Sequence, residues 1–219
     1  PHYEGELFPP NIPVTSYQKY NLQEERPDVI YVHNPYDDSN YVTSVHPSFY
    51  SAELKKYTKK LIYVPYYVTT GAISPEHTIL PVYFHMDYAI VQGERFKRGF
   101  KGLPYEDKII PLGSPKLDRI IRMCKSGEVK MPKEWEKIVK GRRTLMLNTS
   151  ISCLLDEGSI MLDKLMWLFK KIKQYPGLAL IWRPHPLLRS TIESMRPQLL
   201  MQYEELIAYF QENGVGVFD

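Results

Sequence analysis

The chain has 219 residues, a mass of 25.7 kDa and a formal net charge of +3 at pH 7. This length allows one large domain or two small ones, and so small a net charge argues against a nucleic-acid partner. Hydrophobic residues make up 43% of the chain, which is enough for a buried core, and no apolar run approaches the ~20 residues that span a bilayer. Cys124 and Cys153 are too few for a disulfide framework or a zinc site, so we expect free, buried thiols in a reducing cytoplasm.

The first part of the chain alternates short apolar runs with helical patterns. The runs at 28–33, 61–65 and 88–91, and more weakly 108–111, predict strands. They are continuously apolar, which is typical of parallel strands covered on both faces. Helices are predicted over 51–60 and 92–100, and a further helix after Ser114, where Ser114 and Pro115 form an N-cap followed by proline at the first helical position.

A segment rich in Lys, Glu and Gly at 125–141 is the best linker candidate, and a second set of elements follows it. Strands are predicted at 144–148, 178–182 and 215–218, with helices over 161–172 and 199–211. We therefore predict an α/β chain with two Rossmann-like parallel-sheet units, residues 1–130 and 131–219. Three strands are few for such a sheet, so we expect an incomplete second unit, a first unit that lacks its N-terminal part, and a longer parent protein.

Polar residues gather where the predicted strands end, which is where open α/β sheets bind ligands. His33 follows the first strand, and Ser114 and Lys116 follow the fourth. In the second unit Asn148 ends one strand, and Arg183 and His185 end the next. His46 precedes a proline just before a predicted helix.

Each of these residues has a structural alternative. Arg183 can bind phosphate oxygens through its planar fork, with His185 as a second donor or a proton carrier; alternatively, both only anchor the backbone. Ser114 and Lys116 favour an anion at a helix start, or Ser114 is a plain N-cap. His33 sits in a turn-forming sequence that would explain it without a function.

The common nucleotide-loop, nucleophile-elbow and metal-binding motifs are absent from the sequence, so no metal site is predicted. Two segments instead carry a family resemblance. Residues 108–118 (KIIPLGSPKLD) resemble the Gly-x-Pro-Arg-x-Asp segment that closes the first domain of CDP-glycerol glycerophosphotransferases, the GT-B enzymes that polymerise teichoic acids. Residues 180–186 (LIWRPHP) resemble the Arg-x-His-Pro segment of their second domain.

Three further segments match the order of the motifs. Residues 87–91 (DYAIV), followed by Phe96 and Phe100, match the order of segments in that family, and 28–37 (DVIYVHNPYD) and 42–47 (VTSVHP) resemble a bacterial subgroup of uncharacterised relatives. The resemblance spans about residues 28–219. Two departures stand out: the family's His-Gly-Thr segment, whose His is taken as a catalytic base, is replaced by VPYY at 64–67, and the chain ends before the family's acidic residue and Ser-Ser pair.

The resemblance implies a GT-B transferase that moves glycerol phosphate, or a related group, from a CDP-activated donor to a cell-surface polymer or its lipid-linked precursor. Arg183 and His185 would neutralise the donor diphosphate, with Ser114, Lys116 and Asn148 as further donor contacts, and His33 or His46 would take the proton of the acceptor hydroxyl. His185 is also a catalytic candidate. No cofactor is expected beyond the nucleotide-activated donor.

The same resemblance leaves other functions open. A GT-B glycosyltransferase that uses a nucleotide sugar is one, and a non-catalytic nucleotide- or polymer-binding relative, or a structural partner domain, is another. We expect a cytoplasmic protein that associates peripherally with the inner face of the cell membrane, where a lipid-linked acceptor lies.

Overall fold

The computed structural model describes residues 8–40, 44–69 and 71–219. The chain divides into two compact units: unit 1 ends at Glu128 and unit 2 begins at Val129. Each unit is a mixed α/β structure built on one parallel sheet, as the alternation of apolar runs and helical patterns predicts. Among the described helices, none has both the length and the apolar character needed to cross a bilayer.

Unit 1 has a four-stranded sheet in the order β1-β2-β3-β4, and every neighbouring pair is parallel. The strands are β1 (Val29–Val32), β2 (Lys60–Tyr63), β3 (Tyr88–Ile90) and β4 (Ile109–Ile110). The helices are α1 (Leu22–Glu25), α2 (Ser51–Tyr57), α3 (Val82–His85), α4 (Glu94–Lys97) and α5 (Pro115–Ser126), with short 3-10 turns at Pro47–Phe49, Pro75–Thr78, Arg98–Phe100 and Glu106–Lys108.

Unit 2 has a three-stranded sheet in the order β5-β6-β7, also parallel throughout. The strands are β5 (Arg143–Thr149), β6 (Leu178–Pro184) and β7 (Gly216–Phe218). The helices are α6 (Lys133–Val139), α7 (Ile151–Glu157), α8 (Ser159–Lys173), α9 (Leu188–Met195) and α10 (Leu200–Glu212), with a 3-10 turn at Pro197–Leu199.

All seven predicted strands form, and so do the longer predicted helices. The predicted helix over 92–100 forms only as α4 followed by a 3-10 turn. The sequence analysis does not predict α1, α3, α7 or α9. These helices have four to eight residues, too few for an apolar period of 3.6 residues to stand out.

The crossover helices α2 and α3 of unit 1, and α8 and α10 of unit 2, each pack on one face of their sheet. In unit 2 the fully buried Trp182 of β6 contacts Phe169 of α8 and Phe210 of α10, with ring centroids 4.8 and 5.4 Å apart. In unit 1 the inward residues Leu61 and Tyr63 of β2 are fully buried in two adjoining cores, one with α2 and one with α3.

The prediction that the strands are covered on both faces is wrong for β1 and β5, whereas in β6 the neighbouring residues Ala179 and Leu180 are both buried. On the opposite faces Tyr31 of β1 is 68% exposed and Met146 of β5 is 58% exposed. The strand order explains this, because connections of one handedness that always step in the same direction across a sheet all lie on the same side. The helix α5 is likewise a surface helix, and none of its apolar residues is buried.

The two cysteines also depart from expectation. Cys124 and Cys153 are free, as predicted, but both are exposed rather than buried. Cys124 lies on α5, whose apolar stripe includes Ile120 and Ile121 and faces solvent. A helical apolar pattern does not by itself say that another element covers it.

Asp87 ties together the amino-terminal ends of β2 and β3. Its Oδ2 accepts hydrogen bonds from Lys55 Nζ of α2 at 2.6 Å and from the Leu61 backbone N–H at 2.7 Å, and its own N–H donates to the Leu61 carbonyl. Burial opposes ionisation of this carboxyl, but the hydrogen bonds from Lys55 and Leu61 and the charge of Lys55 outweigh burial and hold its pKa below the ordinary 3.8.

Because the pKa of Asp87 is lower in the folded chain than in the unfolded chain, its ionised form stabilises the fold above about pH 4, and that stabilisation is lost as the pH falls below the ordinary carboxyl pKa. We expect Asp87→Asn to lower the free energy of unfolding at neutral pH and to flatten its fall in acid. Urea unfolding of both proteins between pH 7 and pH 3 measures this. Asp38→Asn changes an exposed carboxylate and serves as the control; an acid slope unchanged by Asp87→Asn contradicts the assignment.

Candidate functional site

Two depressions lie at the carboxyl-terminal edge of the unit 1 sheet, where β1, β2, β3 and β4 end. We call one the His33 groove; it is open, and its walls include His33, Tyr66, Pro115 and Lys116. The other is the Ser114 cavity, which is more enclosed, and its walls include Tyr67, Thr69, Gln92 and Ser114. Both also share Val64, Pro65 and Pro115 in their walls, so they are adjacent.

The Ser114 cavity has about 20 Å³ of open space, room for one water-sized group. Gln92, two residues after the end of β3, accepts a hydrogen bond from the Thr69 N–H at 2.6 Å and so fixes one wall. Ser114 is 6% exposed and stands at the N-cap of α5 as predicted, but its side chain makes no cap hydrogen bond, and its buried Oγ has no partner among the described residues.

A row of aromatic rings borders the two depressions. The ring of His33 meets Tyr66 edge-on at 6.3 Å, Tyr66 meets Tyr67 at 5.5 Å, and Tyr67 lies 6.1 Å from His77. The hydroxyls of Tyr36 and Tyr66 are 3.4 Å apart. Burial, and then the neighbouring Tyr66 hydroxyl, raise the pKa of Tyr36, so its phenol stays neutral and can donate.

His33 keeps both ring nitrogens available. It is exposed at the end of β1, and neither nitrogen has a hydrogen-bond partner among the described residues. The loop that follows is fixed by Asp37, a buried residue with φ of 48°. The Asp37 carboxylate accepts from the Ser51 N–H at 3.0 Å and from the Ser51 hydroxyl at 2.6 Å, at the start of α2.

His46 lies apart from these depressions. Its ring packs against Tyr17, with centroids 5.4 Å apart, and its Nδ1 accepts from the Ser48 N–H at 3.3 Å as the cap of a 3-10 turn. An Nδ1 that accepts is unprotonated, so the neutral ring carries its proton on Nε2 and cannot also take a proton there. Val42 and Thr43, which open the segment that resembles the bacterial subgroup, lie outside the described residues.

The unit 2 sheet brings three polar residues together at its carboxyl-terminal edge. Asn148 and Arg183 are predicted site residues, and Asp219 is not. Asn148 of β5 is the direct register partner of Arg183 of β6. Asp219, which follows β7, donates its N–H to the Trp182 carbonyl, and its Oδ2 accepts from Arg183 Nε. Trp182 faces the core, so Arg183 and its register partner Asn148 lie on the opposite face of the sheet, because side chains alternate along a strand.

The Arg183–Asp219 pair is partly exposed, with side chains 49% and 28% accessible. Only Nε of the guanidinium is engaged, so both terminal amino groups of Arg183 lack partners within the described part of the chain. The side-chain amide of Asn148 is exposed and also lacks a hydrogen-bond partner among the described residues. Asp219 therefore orients the guanidinium and leaves its remaining donors for a ligand.

The two ring nitrogens of His185 have different roles: one caps a turn, and the other is available to a ligand. Its backbone N–H donates to the Thr149 carbonyl at 2.9 Å, and its Nδ1 accepts from the Leu187 N–H at 3.1 Å, ahead of α9. The neutral ring therefore carries its proton on Nε2, which is exposed and can donate. The structural alternative for His185 holds for one nitrogen, and the other is free for a ligand.

The sequence analysis misses Gln92, Asp219 and the tyrosine pair Tyr66 and Tyr67. Gln92 and Asp219 closely follow strands, the same signal that selects His33 and Arg183, and could have been found by it. Among the described residues no cluster of three or more His, Cys, Asp or Glu side chains is placed to bind a metal ion.

A scan against protein-family models and searches of curated proteins and of solved structures found no match to this chain. The geometry of the two sheet edges is therefore the basis on which a function is proposed.

Asp37 anchors the loop after β1 to Ser51, and this anchoring is testable. Asp37→Ala removes the acceptor for the Ser51 N–H and hydroxyl, and we expect it to lower the free energy of unfolding by about 1–3 kcal/mol. Asp37→Asn keeps one acceptor oxygen and should cost less. Denaturant unfolding measures both, with Asp38→Ala, next to it but exposed, as the control. Equal stabilities of Asp37→Ala and the parent chain would contradict this anchoring role.

Proposed function

We propose that the protein is a GT-B-type transferase that moves glycerol phosphate, or a related polyol phosphate, from a CDP-activated donor to a hydroxyl of a cell-surface polymer or its lipid-linked precursor. In this reaction the acceptor oxygen bonds to the phosphorus of the transferred group, the phosphoanhydride bond breaks, and CMP leaves. The acceptor hydroxyl loses its proton to a base. The proposal includes a cytoplasmic location at the inner membrane face, where such acceptors lie.

The observation that carries the proposal is the side-by-side placement of Asn148 and Arg183, with Asp219 holding the guanidinium, at the carboxyl-terminal edge of a parallel sheet. This edge is where α/β sheets of this kind bind nucleotides. A diphosphate needs donors that match its oxygens, and the two free amino groups of Arg183 supply a planar pair. The segment that holds Arg183 and His185 is also one that resembles the glycerophosphotransferases.

His185 contributes one donor to the proposed donor site. Its Nδ1 is occupied by the Leu187 N–H, so Nε2–H is directed by a fixed ring. A neutral donor at a phosphate oxygen stabilises charge that develops on the leaving CMP. In this role His185 binds and orients the donor and does not act as the base.

His33 is the candidate base, because of the three histidines proposed for catalysis only its ring nitrogens are both without hydrogen-bond partners in the described residues. Tyr66 lies beside His33, and the hydroxyl of Tyr36, 3.4 Å from that of Tyr66, stays a neutral donor and suits an acceptor rich in hydroxyl groups. His46 has no free acceptor nitrogen in its neutral form and is dropped from the proposed mechanism.

Calorimetric titration of the full chain with CDP-glycerol tests the donor site. Arg183→Lys keeps the charge but loses the planar fork, and His185→Asn keeps an acceptor for the Leu187 N–H but loses Nε2–H. We expect each to weaken CDP-glycerol binding on the order of tenfold to hundredfold, as for loss of one charge-assisted hydrogen bond. Arg189→Lys, whose guanidinium pairs with Glu193 and Glu204, is the matched control.

Thermal melts of the same variants separate binding from folding. If Arg183 and His185 only anchor the backbone, His185→Ala lowers the melting temperature, and neither Arg183→Lys nor His185→Asn changes the affinity for CDP-glycerol. That result, or no binding of CDP-glycerol by the parent chain, overturns the proposed donor site. Release of CMP identifies polyol-phosphate transfer, whereas release of a nucleoside diphosphate from a nucleotide sugar identifies the alternative glycosyltransferase.

A non-catalytic nucleotide-binding relative is the second candidate, and one observation favours it. Both His46 and His185 use Nδ1 to cap backbone turns, and the family's His-Gly-Thr base is replaced by residues 64–67. A binding module predicts CDP-glycerol affinity without CMP release in the presence of any polyol acceptor. A loss of CMP release in His33→Gln, with donor affinity unchanged, decides for the enzyme.

A further inference from the structure

The start of α5 holds a combination of groups that the donor site in unit 2 does not use. α5 has 12 residues, begins with Pro115, and its Lys116 and Leu117 N–H groups point out of the first turn without an intrahelical partner. Neither N–H group is bonded elsewhere within the described part of the chain. Free N–H groups at a helix start attract anions through the helix dipole.

The independent observation is the hydroxyl of Ser114. It is fully enclosed, lines the Ser114 cavity, and has no hydrogen-bond partner among the described residues. An orphan hydroxyl in a protein interior costs free energy unless something satisfies it. An ordinary N-cap serine would accept from the second or third helical N–H, and this serine does not.

The surroundings set the size and charge of what could satisfy these groups. The cavity accepts one oxygen-sized group, and it adjoins the open His33 groove, which Lys116 lines with its ammonium-bearing side chain. A tetrahedral oxyanion fits this division: one oxygen enters the cavity toward Ser114 Oγ, and the others stay in the groove near Lys116. The Asp118 carboxylate, in the first turn of α5, opposes an anion there.

We propose that the N-terminus of α5, with Ser114 and Lys116, is a phosphate-binding site in unit 1. The ligand is a phosphate group, free or carried as an ester, that bonds to Ser114 Oγ and the Lys116 and Leu117 N–H groups. The site is built from residues of unit 1 alone, and its test does not depend on CDP-glycerol.

Amide NMR of the isotope-labelled full chain reads this site directly. Titration with inorganic phosphate should shift the Lys116 and Leu117 amide signals in a saturable way, and chloride at equal ionic strength should not. Glycerol 3-phosphate as a monoester and diethyl phosphate as a diester, added in competition, identify which source of phosphate binds most tightly. If phosphate shifts amide signals across the lysine-rich surface but produces no saturable shift at Lys116 and Leu117, the proposal is overturned.

Four substitutions at or near α5 are expected to change phosphate affinity in different directions. Ser114→Ala should weaken phosphate binding on the order of tenfold, and Lys116→Gln should weaken it several-fold with a smaller salt dependence. Asp118→Asn should tighten it, because a like charge leaves the first turn. Lys125→Gln, at the far end of α5, should leave affinity unchanged.

The stability of Ser114→Ala separates a ligand site from a cap. Removal of an orphan hydroxyl leaves the melting temperature without phosphate unchanged or raises it, and it removes the increase that phosphate gives the parent chain. A lower melting temperature with phosphate affinity unchanged means that Ser114 is a structural cap, or holds a water molecule only, and overturns the proposal.

Discussion

Parallel strands cannot be joined by tight turns, so each connection in this protein must cross its sheet, and this constraint shapes both units. The strand orders β1-β2-β3-β4 and β5-β6-β7 step in one direction only, and the connecting helices therefore lie on one face. The same constraint brings every strand to its carboxyl-terminal end at one edge. Polar residues that are far apart in the sequence, such as Asn148, Arg183 and Asp219, become neighbours there for no other reason.

Backbone capping decides which polar side chains at these edges remain available. Nδ1 of His46 and of His185 is used by a turn, whereas neither ring nitrogen of His33 has a partner among the residues that the structure describes. The Asp37 carboxylate accepts hydrogen bonds from Ser51, so it stabilises the loop and is not available to a ligand. Chemistry at such an edge is thus limited by what the turns require, and the side chains that no turn uses are the better candidates for function.

Much of this architecture could be predicted from sequence, because the seven strands are apolar runs that are well separated along the chain. The positions of Arg183 and Ser114 followed from the same pattern. The one-sided packing could not be predicted, since an apolar residue such as Tyr31 or Met146 has the same pattern whether or not a helix covers it. The available nitrogens of the histidines and the orphan hydroxyl of Ser114 depend on hydrogen bonds between residues whose distances the sequence does not contain.

The aromatic residues are distributed so unevenly that the two units differ in their optical properties. All three tryptophans, Trp135, Trp167 and Trp182, belong to unit 2, and unit 1 has none, while fourteen of the 17 tyrosines belong to unit 1. Trp182 is enclosed by Phe169 and Phe210, and Trp167 is exposed. Tryptophan fluorescence excited at the red edge of the absorption band therefore follows unit 2 alone, and near-ultraviolet tyrosine signals follow mainly unit 1, so the cooperativity between the units can be measured without any label.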